Sequence, residues 1–553
     1  MKKIVATLLA LVMLLALGTS ASAISAAGEY PIVENYGDVT LTFLVVDHPA
    51  ILDWYTNDFI LWMNEQTNVK LEFEMVSSQD KLQKLNLLLS TGDIPDVICG
   101  GGTMLTDEQL VRYGMEEGLL MPLNDLIEEN CVYLKQLFEQ YPNAEKKITM
   151  TDGNIYALPQ VNDCYHTYMP ERYWINTTWL DNLGLEMPTT TEEFYNVLCA
   201  FRDQDANGNG DPNDEIPLAG STNSWRTMPE WFLMNSFCYY NVETLTGQTG
   251  DYGLMMDGDT VTTVFSDPNF TEGLKYVKKL YDEGLLYNAS YSQDNDQLTA
   301  LIENPDACLV GCAPGGYPLW ATLGGERYAQ YSLLEPLTGP DGYVNVVCNE
   351  YVPIYGGSFA ISADCEYPEI AIKWADLCYS QVATLNSYYG PEGVAWEYSE
   401  EGSGDVGIDG EPALYRQLIP WQETEPQSLH LVQQIPDFRN DRIRVGLADD
   451  LTKDIHSADR LETLLYNAAC EYGKVARPEC KVPPMKFSVE EEDAMMVAKT
   501  EVDKLEKEYV IGFINGTKDI DADFPTFLAE LETAGMQTLI DHYQAAYDAQ
   551  WKD

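Results

Sequence analysis

The first hundred residues alternate closely between strand-like and helix-like segments, and this alternation constrains the fold more than any other feature. Val39–Val46 and Val69–Val76 have apolar or alternating patterns typical of strands, and Asp96–Gly100 is a third, shorter example. Asp58–Gln66 and Lys81–Leu89, which lie between these strands, carry apolar residues at helical spacing. Strand, helix, strand, helix, strand within about 60 residues predicts parallel strands joined by helical crossovers.

The rest of the chain predicts a second region that is richer in helix. Helices are predicted at Thr190–Phe201, Trp231–Tyr239, Thr271–Glu283, Glu490–Phe513 and Phe524–Trp551, and strands near Ala307–Val310, Tyr343–Cys348 and Ser358–Ile361. A chain of 553 residues exceeds what one hydrophobic core organises. We therefore expect two α/β lobes joined by several crossings, with a cleft between the lobes. The predicted boundaries are 28–158 and 300–362 for the first lobe, and 159–299 and 363–553 for the second.

The amino terminus has the pattern of a secretory signal peptide over residues 1–23. Two lysines precede an apolar run from Ile4 to Leu17, and Ala21–Ala23 provides a small-residue cleavage site, with a cut after Ala27 as the alternative. The run is shorter than the about 20 apolar residues that a membrane span needs. The first cysteine is Cys99, so no lipobox cysteine follows the cleavage site. We expect an exported, monomeric protein that is extracellular or associated with the cell envelope.

The charge balance excludes some partners. The chain has 88 acidic and 32 basic residues, a formal charge of -56 at pH 7. Nucleic-acid binding needs clustered Lys and Arg, so a nucleic-acid partner is not expected. The five histidines lack the spacing of a zinc site. The twelve cysteines are scattered, and most are interpreted as buried small hydrophobes rather than as a disulfide framework.

The segment Asp203–Leu218, DQDANGNGDPNDEIPL, concentrates side-chain oxygens at alternate positions. Calcium takes six to eight oxygen ligands, and a short loop rich in Asp, Asn and Gly supplies them. Gly208 and Gly210 allow the backbone to turn so that the oxygens converge. Such a run is also typical of a solvated turn. The segment therefore raises the hypothesis of a metal site.

Several motifs resemble those of extracellular solute-binding proteins, family 1, the capture subunits of carbohydrate ABC importers. STGDIPDV at Ser90–Val97 is similar to the SGDxPDV signature, and DGNIYALP at Asp152–Pro159 is similar to DGKxYxLP. Trp174–Leu198 resembles the segment WINKxWLDxLGLxxPTTxxEF and leads into the oxygen-rich loop. The resemblance extends over nearly the whole chain and is strongest to the large, lipoprotein-like oligosaccharide-binding branch of Firmicutes.

The resemblance implies a fold, a function and a metal. The fold is the two-lobed, periplasmic-binding-protein-like (type II) α/β fold, and the function is capture of an oligosaccharide in an interlobe cleft for an ABC importer permease. In the family this loop holds a structural Ca²⁺. The implied ligands are Asp205, Asn207, Asn209, Asp211 (through its carbonyl), Asp214 and Glu215. One extra residue precedes Asp214 relative to the family pattern. A second ligand frame, that is, an assignment in which Asp203 is the first ligand position of the loop, stays open.

Candidate ligand-binding residues combine aromatic rings with planar polar groups, because sugars present apolar C–H faces and a rim of hydroxyls. Trp225 with Arg226 is the first candidate, and the others are Trp320, Tyr355, Tyr165, His166, Asp47, Asn162, Trp54 and Trp396. Any one of the tryptophans could equally serve packing. Trp62, Trp179, Trp231 and Trp374 lie in helical apolar patterns and are assigned to the core.

Two alternatives to transport stay open. A secreted, calcium-containing glycoside hydrolase would share the acidity and the aromatic content, but it needs a pair of carboxylates with distinct pKa values. No motif selects such a pair among the acidic residues, and no hydrolase signature is present, so the chain is not expected to be an enzyme. A surface glycan-binding protein without a transport role is the second alternative.

Overall fold

The computed structural model describes residues 24–77, 80–241, 252–347, 354–400, 402–419 and 426–552. The predicted signal peptide and Cys348 lie outside these residues. The described residues divide into two units. Unit 1 comprises those up to Val161 together with Tyr355–Glu397 and Gln417–Phe438, and unit 2 comprises those in Asn162–Ile354, Tyr398–Arg416 and Arg439–Asp553. Three segments of each unit alternate along the chain, so the chain passes between the units five times.

Unit 1 is built on a mixed sheet of six strands. Their order is Phe438–Arg439, Leu158–Asn162, Ile354–Ile361, Val97–Cys99, Thr40–Asp47 and Lys70–Ser77. The last three are parallel, as the alternating pattern predicts, with Phe43 opposite both Phe73 and Val97. Ile354–Ile361 is antiparallel to Val97–Cys99.

The helices of unit 1 cover this sheet. They are Asp58–Thr67, Lys81–Thr91, Asp107–Leu110, Asn124–Asn130, Tyr133–Gln140, Pro142–Ile148, Pro368–Cys378 and Gln381–Tyr389, with a π-helical turn at Val111–Glu116 and a 3₁₀ turn at Trp54–Thr56. Trp374 packs its ring 5.0 Å from that of Phe43, at the centre of the core. The helix Pro368–Cys378 therefore belongs to unit 1.

Unit 2 contains a four-stranded sheet in the order Tyr331–Leu334, Tyr173–Asn176, Val310–Pro314 and Ile216–Leu218. A separate two-stranded sheet, whose strands span the unit boundaries in the sequence, pairs Trp396–Tyr398 with Tyr415–Gln417, and a hairpin of unit 2 pairs Leu254–Asp257 with Thr260–Thr263. The helices are Tyr165–Tyr168, Thr177–Leu183, Thr191–Asp203, Pro229–Met234, Pro268–Asp282, Asn295–Ile302, Asp441–Val445, Leu461–Tyr472, Val489–Asn515, Ile520–Ala534 and Met536–Gln550. Short 3₁₀ turns lie at Val264–Ser266, Tyr328–Gln330, Ala458–Arg460 and Pro478–Cys480.

The division into units differs from the predicted lobe boundaries in two regions. Residues 300–354 fall in unit 2 rather than in the first lobe, because Val310–Pro314 and Tyr331–Leu334 both pair with Tyr173–Asn176. Residues 363–397 and 417–438 fall in unit 1 rather than in the second lobe. The sequence pattern identifies elements but does not show which distant strand each one joins.

Several predicted elements differ in the structure. The predicted helix Trp231–Tyr239 ends at Met234, and the strand predicted near Ala307–Val310 is Val310–Pro314. The predicted strand Tyr343–Cys348 has no strand in its described part, 343–347. The predicted helix Phe524–Trp551 is two helices, Ile520–Ala534 and Met536–Gln550, because Gly535 adopts a left-handed conformation with φ of 106° between them.

Most of the described cysteines are buried, and none of them takes part in a disulfide. This agrees with their interpretation as small hydrophobic residues. Across the part of the chain that the structure describes, no helix is both long and apolar enough to cross a bilayer.

Candidate functional site

A cluster of polar side chains lies in unit 2, where segments distant in sequence meet. Asn162 ends a strand, Arg444 lies in the helix Asp441–Val445, and Glu462 lies at the start of the next α-helix. Arg444 donates from Nη2 and Nε to Asn162 Oδ1 at 2.8 and 3.2 Å. Its Nη1 lies 3.5 Å from both carboxylate oxygens of Glu462. Tyr165 donates its hydroxyl to Glu462 Oε2 at 2.5 Å, which ties the cluster together.

The cluster fixes the protonation states of Glu462 and His166. Burial raises the pKa of Glu462, but the positive charge of Arg444 outweighs it and brings the pKa to about 2. Burial lowers the pKa of His166 to about 3, so its imidazole is neutral near pH 7. His166 Nε2 lies 3.4 Å from Arg444 Nη1, and an arginine can only donate, so we assign the imidazole proton to Nδ1. That Nδ1 has no hydrogen-bond partner among the described residues.

Trp225 lies beside this histidine and is partly exposed. Its ring meets the His166 ring edge-on, with centroids 6.1 Å apart, and Tyr317 lies 6.5 Å away on another side. Gly316 N donates to Trp225 O at 3.1 Å, and a Cβ at Gly316 would lie 2.0 Å from the indole. The Trp225 indole can occupy this position only because Gly316 has no side chain.

Two buried arginines, Arg226 and Arg172, contact the segments that carry Trp225 and His166. Arg226 is buried, has φ of 60°, and pairs its Nη1 with Glu171 Oε1 at 3.1 Å. Arg172 is completely buried and donates to Gly316 O at 2.7 Å and His166 O at 3.0 Å. Arg226, a predicted ligand-binding residue, thus anchors the loop that carries Trp225.

The arrangement provides aromatic faces next to fixed polar groups. Trp225, Tyr317 and His166 are each partly exposed, whereas Arg444 and Asn162 are buried beside them. A flat ring offers a stacking surface for the apolar face of a ligand. The Nδ1–H of His166 is a donor without a partner among the described residues, but it is buried. The sequence candidates Trp225, Tyr165, His166 and Asn162 therefore come together in one place.

Trp320, Trp396 and Trp54 offer no stacking face, which corrects their selection from sequence. All three are almost completely buried. Trp320 donates from Nε1 to Pro314 O at 2.9 Å, and its ring packs 4.5 Å from that of Tyr331. Trp396 donates to Gly390 O at 3.0 Å. Of the tryptophans assigned to the core, Trp179, Trp231 and Trp374 are buried, whereas Trp62 is only half-buried.

Asp47 and Tyr355 lie in unit 1, apart from this cluster. Asp47 ends the strand Thr40–Asp47, and Tyr355 lies near the start of an antiparallel strand, so both occupy the edge at which the parallel strands end. The turn after Cys99 lies at the same edge, and its Gly101 approaches the backbone so closely that a Cβ would lie 1.7 Å from Gln433 O. Asp47 is exposed, and Tyr355 is partly buried.

The oxygen-rich loop of unit 2 turns back on itself. Asp205 Oδ2 accepts from Gly210 N at 3.0 Å, and the amides of Asn207 and Asn209 contact the two oxygens of Asp214 at 2.9 and 2.7 Å. Glu215 Oε1 accepts from the backbone N–H of residue 206 at 2.9 Å. Asp211 is exposed and accepts from the backbone N–H of residue 213.

Two buried oxygens of this loop have no donor. These are Asp205 Oδ1 and Glu215 Oε2, and burial raises the pKa of Glu215. No group of three or more His, Cys, Asp or Glu side chains that could hold a metal ion occurs among the described residues. A calcium site also takes oxygens from Asn side chains and backbone carbonyl groups. The loop chemistry fits a hard cation.

Comparison with known proteins identifies the family. The profile of the family described as bacterial extracellular solute-binding protein matches residues 49–384. The chain belongs to this family.

Curated relatives of this solute-binding protein include two from different bacteria. It is 27% identical over 366 residues to the fructooligosaccharide ABC transporter substrate-binding protein FusA of Streptococcus pneumoniae, an alignment that covers 64% of this chain and 63% of FusA. It is 22% identical over 347 residues to the polygalacturonan/rhamnogalacturonan-binding protein YtcQ of Bacillus subtilis, covering 61% and 62%. The chain thus aligns with less than two thirds of the length of either relative.

Solved structures show the same fold. An extracellular solute-binding protein of Bifidobacterium longum subsp. infantis has a TM-score of 0.77 at 21% identity, covering 94% of this chain and 100% of that one. FusA in complex with kestose has a TM-score of 0.69 at 22% identity, covering 92% and 99%. These likenesses confirm the predicted two-lobed α/β fold.

Three residues of the cluster are absent from the sequence-based set. Arg444, Glu462 and Arg172 position its polar atoms, yet Arg444 is 282 residues from the Asn162 that it contacts. A solute-binding protein of this family brings such residues together only through its fold.

Proposed function

We propose that this solute-binding protein captures an oligosaccharide at the Trp225–His166 cluster and delivers it to an ABC importer. The observation that carries the proposal is the convergence of a partly exposed indole with a neutral, Nδ1-protonated imidazole and the buried Arg444–Asn162 pair. The family of the chain and the saccharide specificities of FusA and YtcQ support it.

The charges of the cluster favour binding over hydrolysis. A glycosidase needs one carboxyl group with a raised pKa to act as the acid. Glu462 instead has its pKa lowered to about 2, and Glu171 is paired with Arg226. Both carboxylates are therefore suited to hold neighbouring side chains rather than to transfer protons.

A saccharide panel tests this proposal directly. The panel contains kestose, a human milk oligosaccharide and an oligogalacturonide, with free amino acids and a peptide mixture as non-sugar arms. We expect one saccharide class to raise the melting temperature and to bind with micromolar affinity, which corresponds to about -8 kcal/mol. We expect the sugar to be recovered intact. A shift with only amino acids or peptides would contradict the proposal, and cleaved sugar would favour a hydrolase.

We also propose that the loop at 205–215 binds Ca²⁺ as a structural ion. Its two buried, donor-free oxygens on Asp205 and Glu215 support this, because a buried carboxylate oxygen without a partner costs about 1–3 kcal/mol that a cation would offset. Asn207, Asn209 and Asp214 would add oxygens once the amides turn their carbonyl groups inward. Bound calcium would supply positive charge that holds the loop together. Among related structures, an EF-hand mutant of FusA indicates that this relative carries such a site.

The bonding within the loop favours the frame that begins at Asp205. In that frame the glycine at the sixth position, Gly210, donates its N–H to Asp205, as the structure has it. Asp203 instead pairs its two oxygens with Arg202 at 2.7 and 3.0 Å. A ligand frame that begins at Asp203 would have to break this pair.

Removal of calcium provides a prediction with a matched control. We expect Ca²⁺ added to chelator-stripped protein to raise its melting temperature, and Asp205→Asn to weaken calcium binding about tenfold or more, because a carboxylate ligand is lost. Asp203→Asn, in the same loop, should retain the affinity of the unmodified protein. Isothermal titration measures both. Absence of heat and of a melting shift with the unmodified protein, or equal losses in the two variants, would contradict the proposed site.

A further inference from the structure

The outer face of the helix Asp58–Thr67 in unit 1 carries a set of side chains that the proposed function does not use. Asp58, Leu61, Trp62 and Glu65 recur at intervals of three and four residues, which places them on one face, and Asn68 continues it at the C-cap. The opposite face is buried in the core through Phe59, Ile60, Met63 and Thr67.

This face forms one wall of an open groove. Tyr36, Pro391 and Val394 also line the groove, whose volume is about 650 Å³. A volume of this size matches the range of small-molecule sites, about 300–1,000 Å³. Tyr36, Leu61 and Val394 are 56%, 48% and 53% exposed, so apolar surface in the groove faces the solvent.

The groove presents both acceptors and donors, because Tyr36, Trp62 and Asn64 also carry O–H or N–H groups. Asp58 and Glu65 contribute carboxylates, and Asn64 Oδ1 is buried and has no donor among the described residues. Asn68 donates its amide to Val33 O at 3.1 Å and Glu34 O at 3.0 Å, which leaves only its oxygen for a ligand.

The described lining residues include no Lys, Arg or His. A nearby cation on the neighbouring strand, Lys70, pairs with Glu72 at 2.9 Å. The formal charge of -56 adds to the negative potential. The charged residues among the described lining are therefore all negative, which favours a ligand that carries positive charge.

Two rings accompany the acceptors. Trp62 is half-buried, with its ring 5.9 Å from that of Phe59, and Tyr36 is exposed. The face of an indole or phenol attracts a cation within about 6 Å of the ring. Rings, carboxylates and apolar side chains in one groove are the combination that holds an ammonium group on an apolar body.

We propose that this groove binds a small organic ammonium ion, with its apolar body against Trp62 and its positive charge attracted by the carboxylates of Asp58 and Glu65. The site lies in unit 1 and shares no residue with the Trp225–His166 cluster of unit 2. A neutral ligand would lack this charge attraction, and an anion would be repelled by the two carboxylates.

Cyclohexylamine and cyclohexanol form a matched pair of probes, because they share one apolar body and differ in charge at pH 7. Titrations followed by NMR or calorimetry measure their affinities for the full-length protein. We expect saturable binding of cyclohexylamine and affinity for cyclohexanol about tenfold lower or less. Asp58→Asn combined with Glu65→Gln should weaken amine binding about fivefold, and Trp62→Ala should weaken it about threefold.

Glu139→Gln removes one exposed negative charge from unit 1 outside the groove and serves as the control. It should retain the amine affinity of the unmodified protein. None of these variants should change the affinity for the saccharide that binds unit 2. Equal affinities for amine and alcohol, absence of saturable amine binding at tens of millimolar, or an equal loss in Glu139→Gln would each overturn the proposal.

Discussion

Replacement of Arg444 by leucine is expected to destabilise the protein by about 3 kcal/mol, because it leaves the partly buried Glu462 and the buried Asn162 without their partner. Arg444 is itself buried and donates to Asn162 Oδ1 at 2.8 Å. Loss of one member of a buried charge pair typically costs about 3–5 kcal/mol. Glu462 retains 26% exposure, so the lower end of this range applies. Denaturant unfolding measures the change.

Two further variants show whether the loss comes from the unpaired charge. Arg442→Leu changes a partly exposed arginine in the same helix, one that donates to Pro412 O and pairs with no buried carboxylate among the described residues, and it should cost less. Arg444→Leu combined with Glu462→Leu should be more stable than Arg444→Leu alone, because no uncompensated carboxylate remains. A double variant less stable than the single one would show that Arg444 acts by packing and not by compensating Glu462.

The same pair makes stability depend on acid pH. The folded-state pKa of Glu462, about 2, lies below its ordinary value of 4.5. A lowered pKa contributes stability that is present above pH 4.5 and is lost as the pH falls toward 2. Arg444→Leu removes the main cause of the lowering, so its unfolding free energy should fall less steeply over this window than that of the unmodified protein.

The periodicity of apolar residues predicted the helices and strands whose formation depends on neighbouring residues in the sequence. The strands Thr40–Asp47 and Lys70–Ser77 and the helix Lys81–Thr91 agree with their periodicity within about two residues. The helix break at Gly535 was missed, because a glycine inside a helical pattern signals a break only through its backbone conformation. The unit to which Val310–Pro314 belongs depends on its pairing with Tyr173–Asn176, which no local pattern encodes.

The candidate sites likewise include residues that the sequence predicts and residues that only the fold brings together. The oxygen-rich loop is continuous in sequence, so its ligand set could be proposed from residue types alone. Trp225 and Trp320 both lie in polar or glycine-containing loops, and the sequence does not distinguish them. Trp320 is buried because the Tyr331 ring and the Pro314 carbonyl meet it, and Trp225 stays partly exposed because Gly316 leaves room beside it. Arg444 and Glu462 entered the site only through tertiary contacts.

Trp225→Ala is expected to weaken saccharide binding about 30-fold or more, the effect of truncating a central aromatic contact worth about 2 kcal/mol. The melting temperature of the free protein should change little, because the indole is already partly exposed. Trp551→Ala provides the matched control, since Trp551 is also a partly buried tryptophan of unit 2 but lies outside the cluster. Isothermal titration with the saccharide that gives the largest melting shift measures both variants.

Gly316→Ala tests whether the position of the indole matters as well as its presence. The backbone at Gly316 does not have a positive φ, so alanine is compatible with it, but the added Cβ would lie 2.0 Å from the Trp225 ring and would displace it. We therefore expect Gly316→Ala to weaken saccharide binding although every polar group of the cluster is retained. Trp225→Phe, which keeps a flat ring, should retain more affinity than Trp225→Ala. Unchanged binding in both Trp225→Ala and Gly316→Ala would contradict a stacking role for Trp225 and would place the saccharide elsewhere on the protein.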